Sequence, residues 1–203
     1  MAVIWPAFLF IVLFAAWMLA QHYSQPALAN AVLYPETSRE IRPFRLIDHN
    51  NRVFDNQRLL GKWSFVFFGY TRCPDVCPLT LQTLGRVAEL LEEPNNNVQF
   101  IFVSVDPARD SNIHLKNYVG YFDPDFVGVT GEESELVTFS KALGGVFGRD
   151  DEPGSGSYTV SHSAQLFLIN PDAERYALLP HPHQAEVIID DFYTIRSHYG
   201  EGA

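Results

Sequence analysis

Apolar residues run almost unbroken from Ala2 to Ala20, with Phe8, Leu9, Phe10, Ile11, Val12, Leu13 and Phe14 at the centre. At about 1.5 Å rise per residue such a run just spans the hydrocarbon core of a bilayer, and Pro6 is tolerable near its start. The pattern predicts one N-terminal transmembrane helix over residues 1–21. No Lys or Arg precedes it, so the positive-inside signal is weak. Ala27-Leu28-Ala29 resembles a small-residue cleavage site, so a removed signal peptide is the alternative. The length of the run and its uncharged start favour a retained anchor. In either case the bulk of the chain lies on the exported side of the membrane, the periplasmic face of the inner membrane in a bacterium.

Residues 22–40 read as a polar tether with Pro26 and Pro35. From residue 41 to 203 the pattern is that of one domain. Phe44–Asp48 and Asn50–Phe54 flank a polar turn and predict a short hairpin. Trp63–Phe68 is continuously apolar, as in a central strand covered on both faces. Leu81, Leu84, Ala88 and Leu91 recur at helical spacing and stop before Pro94. Val98–Val105 predicts a second central strand, ended by Asp106-Pro107. A helix through Leu115, Tyr118, Val119 and Phe122, a strand over Phe126–Thr130, and a helix through Leu136, Val137, Ser140 and Leu143 follow, the last closed by Gly144-Gly145. Asp150–Ser157 is Gly/Ser-rich and acidic, a loop joining two strands of an inserted β-hairpin. Ala164–Ile169 and Tyr176–Leu179 flank the turn Asn170-Pro171-Asp172. Ile188, Phe192 and Ile195 then mark a closing helix over Gln184–Tyr199. Strands alternating with helices predict an α/β domain, a central sheet flanked by helices.

The 203 residues are 47% hydrophobic, enough for one domain with a core, and carry a formal net charge of -10. So acidic a chain has no use for a phosphate backbone, which excludes nucleic acid as a partner class. The only two cysteines, Cys73 and Cys77, make no disulfide framework and are free for chemistry.

Those cysteines follow the first central strand directly and precede its helix, which places the domain near thioredoxin. Pro78 suits the first position of that helix, where partial positive charge favours thiolate. Thioredoxin-type motifs have two residues between the cysteines; here there are three. An inert local disulfide is the plain reading, but so short a loop stabilises little. Two soft thiolates select Cu(I) or a similarly soft ion. Met1 and Met18 lie in the membrane run, so a third ligand would be His, carboxylate or water.

Among the histidines, His22 and His49 fall in tether or turn, His114 and His198 on helix surfaces. His181-Pro182-His183 reads as a solvated loop. His162, in Ser161-His162-Ser163, enters the Ala164–Ile169 strand and is a candidate that spacing alone leaves open.

Phe68-Gly69-Tyr70-Thr71-x-Cys73-Pro74-Asp75-Val76-Cys77-Pro78, then Val103-Ser104-Val105-Asp106-Pro107-x-Arg109-Asp110, then His162-Ser163-Ala164, resemble the Sco/SenC family in content and order. The resemblance runs from about Pro43 to the last helix. It implies a thioredoxin-like fold and a membrane-tethered copper chaperone, binding Cu(I) or Cu(II), that helps assemble the copper A centre of cytochrome c oxidase. Cys73, Cys77 and His162 would be the metal ligands. Asp106 matches a position kept near the site, although a cap on the following helix serves equally well. The family often has an acidic residue before the histidine, where this chain has Ser161; that departure touches how the imidazole is oriented. The implied partners are the copper A subunit of the oxidase, a thiol reductant and the membrane. The alternative is a thiol–disulfide oxidoreductase in which Cys73 and Cys77 are the redox-active pair that reduces a partner's copper-ligand cysteines. A close approach of His162 to the thiols, within about 6 Å, separates metal site from redox pair, because metal bonds are near 2 Å on each side.

Overall fold

The computed structural model describes residues 4–22, 26–91, 97–151 and 158–201. In chain order these form α1 (Ile4–His22), β1 (Val32–Leu33), β2 (Arg45–Asp48), β3 (Val53–Asp55), β4 (Trp63–Gly69), α2 (Val76–Leu90), β5 (Val98–Ser104) and α3 (Asn112–Phe122). Then come β6 (Val127–Thr130), α4 (Glu133–Leu143), β7 (Phe147–Asp151), β8 (Tyr158–His162), β9 (Leu166–Ile169), β10 (Arg175–Leu179) and α5 (Ala185–Glu201).

Every residue of β4 is buried, which is why its sequence is a continuous apolar run rather than an alternating one. Phe65 and Phe67 point into one layer with Leu81 and Leu84 of α2, Leu115 of α3 and Phe192 of α5. Val66 and Phe68 point into the other, with Leu46 of β2, Phe54 of β3 and Leu136 and Phe139 of α4. Each fully buried phenylalanine here contributes about 1.5–3 kcal/mol. The eight strands of the main sheet lie in the order β1-β10-β9-β4-β5-β6-β2-β3. β4, β5 and β6 are parallel, with Phe65 beside Phe100 and Gly69 beside Ser104. β9 runs antiparallel to β4, and β7 and β8 make a hairpin of their own. The expected α/β sheet with an inserted hairpin is the one observed. Of the predicted loop 150–157, residues 152–157 lie outside the described residues. At the end of α4, Gly144 takes φ 84° and the Gly145 amide bonds the Ser140 carbonyl at 2.8 Å, a left-handed glycine stop.

Two expectations at the N-terminus change. The predicted transmembrane helix is not found: among the described residues no helix is long and apolar enough to cross a membrane. The side chains of α1 are described from Phe8 to Met18, all exposed. The 19 residues of α1 extend about 28 Å, short of a hydrocarbon core of about 30 Å. Second, the stretch expected as tether docks from Ala29 onward. The buried carboxylate of Asp191 on α5 accepts the amides of Ala29, Asn30 and Ala31 at 2.6, 2.9 and 2.7 Å. Val32 and Leu33 then add an edge strand to β10, and the Tyr34 hydroxyl donates to the Leu143 carbonyl at 2.7 Å. A two-residue strand has no period to read, and a single helical aspartate looks like any solvated charge, so neither announced the docking.

Candidate metal centre

The turn after β4 carries both sulfurs. α2 begins at Val76, earlier than Pro78 suggested, so Cys77 lies in its first turn. Pro78 is still at home, since amides in the first turn lack helical partners. Cys77 is fully buried and Cys73 half-buried, and both are free thiols. The Cys77 sulfur packs against the backbone of Gly69. A Cβ there would lie 2.7 Å from Sγ and 2.8 Å from the Phe102 ring, so the close approach needs a glycine.

His162 ends β8, opposite Phe147. Its Nε2 lies 3.4 Å from Cys77 Sγ and its Nδ1 3.0 Å from the Ser163 carbonyl. A carbonyl only accepts, so Nδ1 carries the proton and the lone pair of Nε2 faces the sulfur. Phe67 and Tyr70 wall the ring edge-on at 5.7 and 6.0 Å between centroids. The donor atoms of Cys73, Cys77 and His162 all lie within 4.8 Å of one another. One ion bonded at about 2.0–2.3 Å reaches donors that close. Ser161 takes no part in orienting the ring; its hydroxyl donates to the Gly148 carbonyl at 3.2 Å. The Ser163 carbonyl serves instead.

Burial lowers the pKa of His162, against an upward pull from the Ser163 carbonyl, so the imidazole is neutral at pH 7. Burial pushes the Cys77 thiol up, more than the Tyr70 amide draws it down. The helix N-terminus was expected to favour thiolate, but that effect amounts to about 0.3–1 kcal/mol and the loss of hydration outweighs it. A bound cation reverses the balance, because a coordinating thiol is deprotonated outright.

Asp106 does not cap α3. Ser111 does, its hydroxyl accepting the His114 amide at 3.4 Å. The Asp106 carboxylate instead accepts the Tyr158 hydroxyl at 2.7 Å and the Arg109 guanidinium. Asp110, fully buried, accepts the Thr71 amide at 2.9 Å and the hydroxyls of Thr71 and Ser104, each at 2.6 Å. The sequence singled out neither Tyr158 nor the Asp110–Thr71 contact. Their signal was present in the run Asp106-Pro107-x-Arg109-Asp110, which has too many charges for the end of a central strand.

The remaining histidines stand apart from this cluster. His183 is not solvated as expected: it lines a groove of about 480 Å³ with Leu79, Thr80, Arg86 and Glu186. Its Nδ1 lies 3.3 Å from Thr80 Oγ1, and burial lowers its pKa to about 4. The His181 ring is 5.5 Å from it. His49 Nδ1 accepts the Gly128 amide at 2.9 Å, a structural contact. His114 is exposed and His198 half-buried on their helices, and the side chain of His22 lies outside the described residues.

A thioredoxin-like sheet that gathers two thiols and a neutral imidazole at one point belongs to the class of soft-metal sites built on a redox scaffold. The SCO1/SenC family model matches residues 34–196, and the chain belongs to that family. It is 41% identical over 145 residues to a Stutzerimonas stutzeri protein named for copper binding, covering 71% of this chain and 70% of that one. With an SCO2-like protein of Rickettsia conorii it shares 33% identity over 154 residues, 74% of each chain. Among solved structures it is similar to Arabidopsis thaliana ScoI with copper bound, at TM-score 0.70 and 30% identity, covering 76% of this chain and 97% of the other. Yeast Sco1 with copper bound matches at TM-score 0.67 and 32% identity, over 74% and 84%.

Proposed function

We propose that this chain is a copper-delivery protein, holding one copper ion through Cys73, Cys77 and His162 and serving assembly of the copper A centre of cytochrome c oxidase. The observation that carries the reading is the convergence of three donor atoms within 4.8 Å, two sulfurs and one imidazole lone pair. A redox pair has no need of that imidazole. Two thiolates and one nitrogen suit Cu(I) and also accept Cu(II). The copper-bound relatives and the family's role in oxidase assembly support the choice of ion and destination. The apolar side chains exposed from Phe8 to Met18 support association of the N-terminus with a membrane surface, with the domain on the exported side. Loading there depends on a thiol reductant, because an oxidised pair cannot bind the ion.

The test is a Cu(I) titration of the reduced protein against a competing chelator. The expected result is one tightly held copper per chain, lost in Cys73→Ser or Cys77→Ser and weakened in His162→Ala. Tight one-to-one binding by a variant lacking both cysteines refutes the site. No competitive binding, with a readily cycled Cys73–Cys77 disulfide, makes the protein a thiol–disulfide oxidoreductase instead.

A further inference from the structure

The three donors come from two pieces of chain. Cys73 and Cys77 ride on the turn between β4 and α2, whereas His162 ends a hairpin that forms a two-stranded sheet of its own. The five residues Asp106–Asp110, following β5, hold both pieces. On one side Asp110 grips the amide and hydroxyl of Thr71, two residues before Cys73. On the other, Asp106 accepts the Tyr158 hydroxyl at 2.7 Å, and Arg109 Nη1 donates to the Tyr158 carbonyl at 3.0 Å. The guanidinium of Arg109 also stacks 3.7 Å from the centre of the Tyr158 ring, and that of Arg149 stacks 3.8 Å from it. Tyr158 opens β8 and His162 closes it, and the even spacing puts both side chains on one face.

We propose that Tyr158 is a positioning residue for His162: its latch onto the Asp106–Asp110 loop sets how firmly the imidazole is held at the thiols. The role rests on the copper reading above and deepens it. Three intervening strand residues, Thr159, Val160 and Ser161, transmit the latch to the ligand through a stiff extended backbone. The edge-on packing of Phe67 and Tyr70 against the imidazole adds a second tie, so removing the latch loosens the imidazole without freeing it.

Tyr158→Phe tests this, because it deletes the hydroxyl and keeps the ring between its cationic neighbours. In the Cu(II)-loaded protein the thiolate charge-transfer bands and the copper hyperfine splitting should move toward those of His162→Ala. Cu(II) affinity should fall roughly three- to tenfold, the worth of one hydrogen bond. In a His162→Ala background the same substitution should change nothing further. A wild-type spectrum and affinity in Tyr158→Phe overturns the role, and so does an equal loss in both backgrounds, which marks a merely structural residue. In the metal-free reduced protein, the Nδ1–H signal of His162 should be sharp in the wild type and broadened in Tyr158→Phe; an unchanged signal also overturns it. Broadening in Tyr158→Phe, found when the wild type binds no copper, separates failure of the copper reading from failure of the latch.

Discussion

Gly69→Ala is the smallest perturbation that reaches the centre of the site. The new methyl would sit 2.7 Å from Cys77 Sγ and 2.8 Å from the Phe102 ring. Moving the sulfur to an ordinary contact of 3.4 Å takes about 0.7 Å. A binding constellation tolerates only about 0.5 Å. Cys77 cannot retreat without lifting the first turn of α2, and Phe102 is packed in the core with 1% of its surface exposed. Overpacking of this kind costs about 1–3 kcal/mol, of which the lower backbone entropy of alanine in the unfolded chain returns about 0.4–1. Urea denaturation of the reduced, metal-free variant should therefore show a net loss of about 1–2 kcal/mol. Its Cu(I) affinity should fall by about tenfold or more, for the displaced sulfur. Gly120→Ala serves as the control. That glycine lies on the exposed side of α3 with nothing within 4 Å of a new Cβ, and the change should stabilise by about 0.5–1 kcal/mol. An unaltered denaturation midpoint and copper affinity in Gly69→Ala would refute the placement of the sulfur against the strand end.

Three further outcomes follow from burial. His183, with its pKa lowered to about 4, is neutral when folded but protonated when unfolded between pH 4 and 6.5, so its stabilisation is complete above 6.5 and drains away as pH falls. Thermal unfolding across that range should lose about 1–2 kcal/mol through this group, after discounting its partial exposure, and His183→Gln should flatten the slope; an identical slope contradicts it. Asp191→Asn should cost about 1.5–3 kcal/mol and expose the chain around Ala29–Leu33 to limited proteolysis, whereas unchanged protection would show that the docking of Ala29–Ala31 does not depend on that carboxylate. Because burial raises the Cys77 thiol and the ion must displace its proton, Cu(I) affinity should rise with pH by about tenfold per unit for each proton released. Affinity that is flat from pH 6 to 8 contradicts that protonation state.

The central layers were legible because their pattern has a period or a continuous run. Trp63–Phe68 could only be a strand covered on both faces, and the Leu81/Leu84 and Ile188/Phe192/Ile195 stripes named the helices that cover it. The Gly144-Gly145 stop and the inserted hairpin were legible for a related reason: turn chemistry is local. Contacts between distant short segments were not. The approach of His162 to Cys77 depends on how a separate two-stranded sheet folds back over the turn after β4, and no spacing encodes that. Asp106 looked like a helix cap because Asp before a helix usually is one; its true partners, Tyr158 and Arg109, meet it only in three dimensions. The expected helix-terminus effect on the thiols failed for a different reason, since sequence does not tell how completely a side chain is stripped of water.

The two sulfurs differ in exposure, and this imposes an order on events. Cys77 shows none of its surface to solvent, while Cys73 is half open. Any reactant too large to enter the turn must therefore meet Cys73 first, whether it is a partner's thiol, a disulfide or an alkylating reagent. Cys77 can respond only from behind, as the atom that retains an ion while Cys73 lets go, or that expels a partner attached to Cys73. The same asymmetry gives the site a front and a back, so that on the copper-delivery reading proposed above exchange with another protein would proceed as a sequence of single-bond steps rather than a simultaneous release.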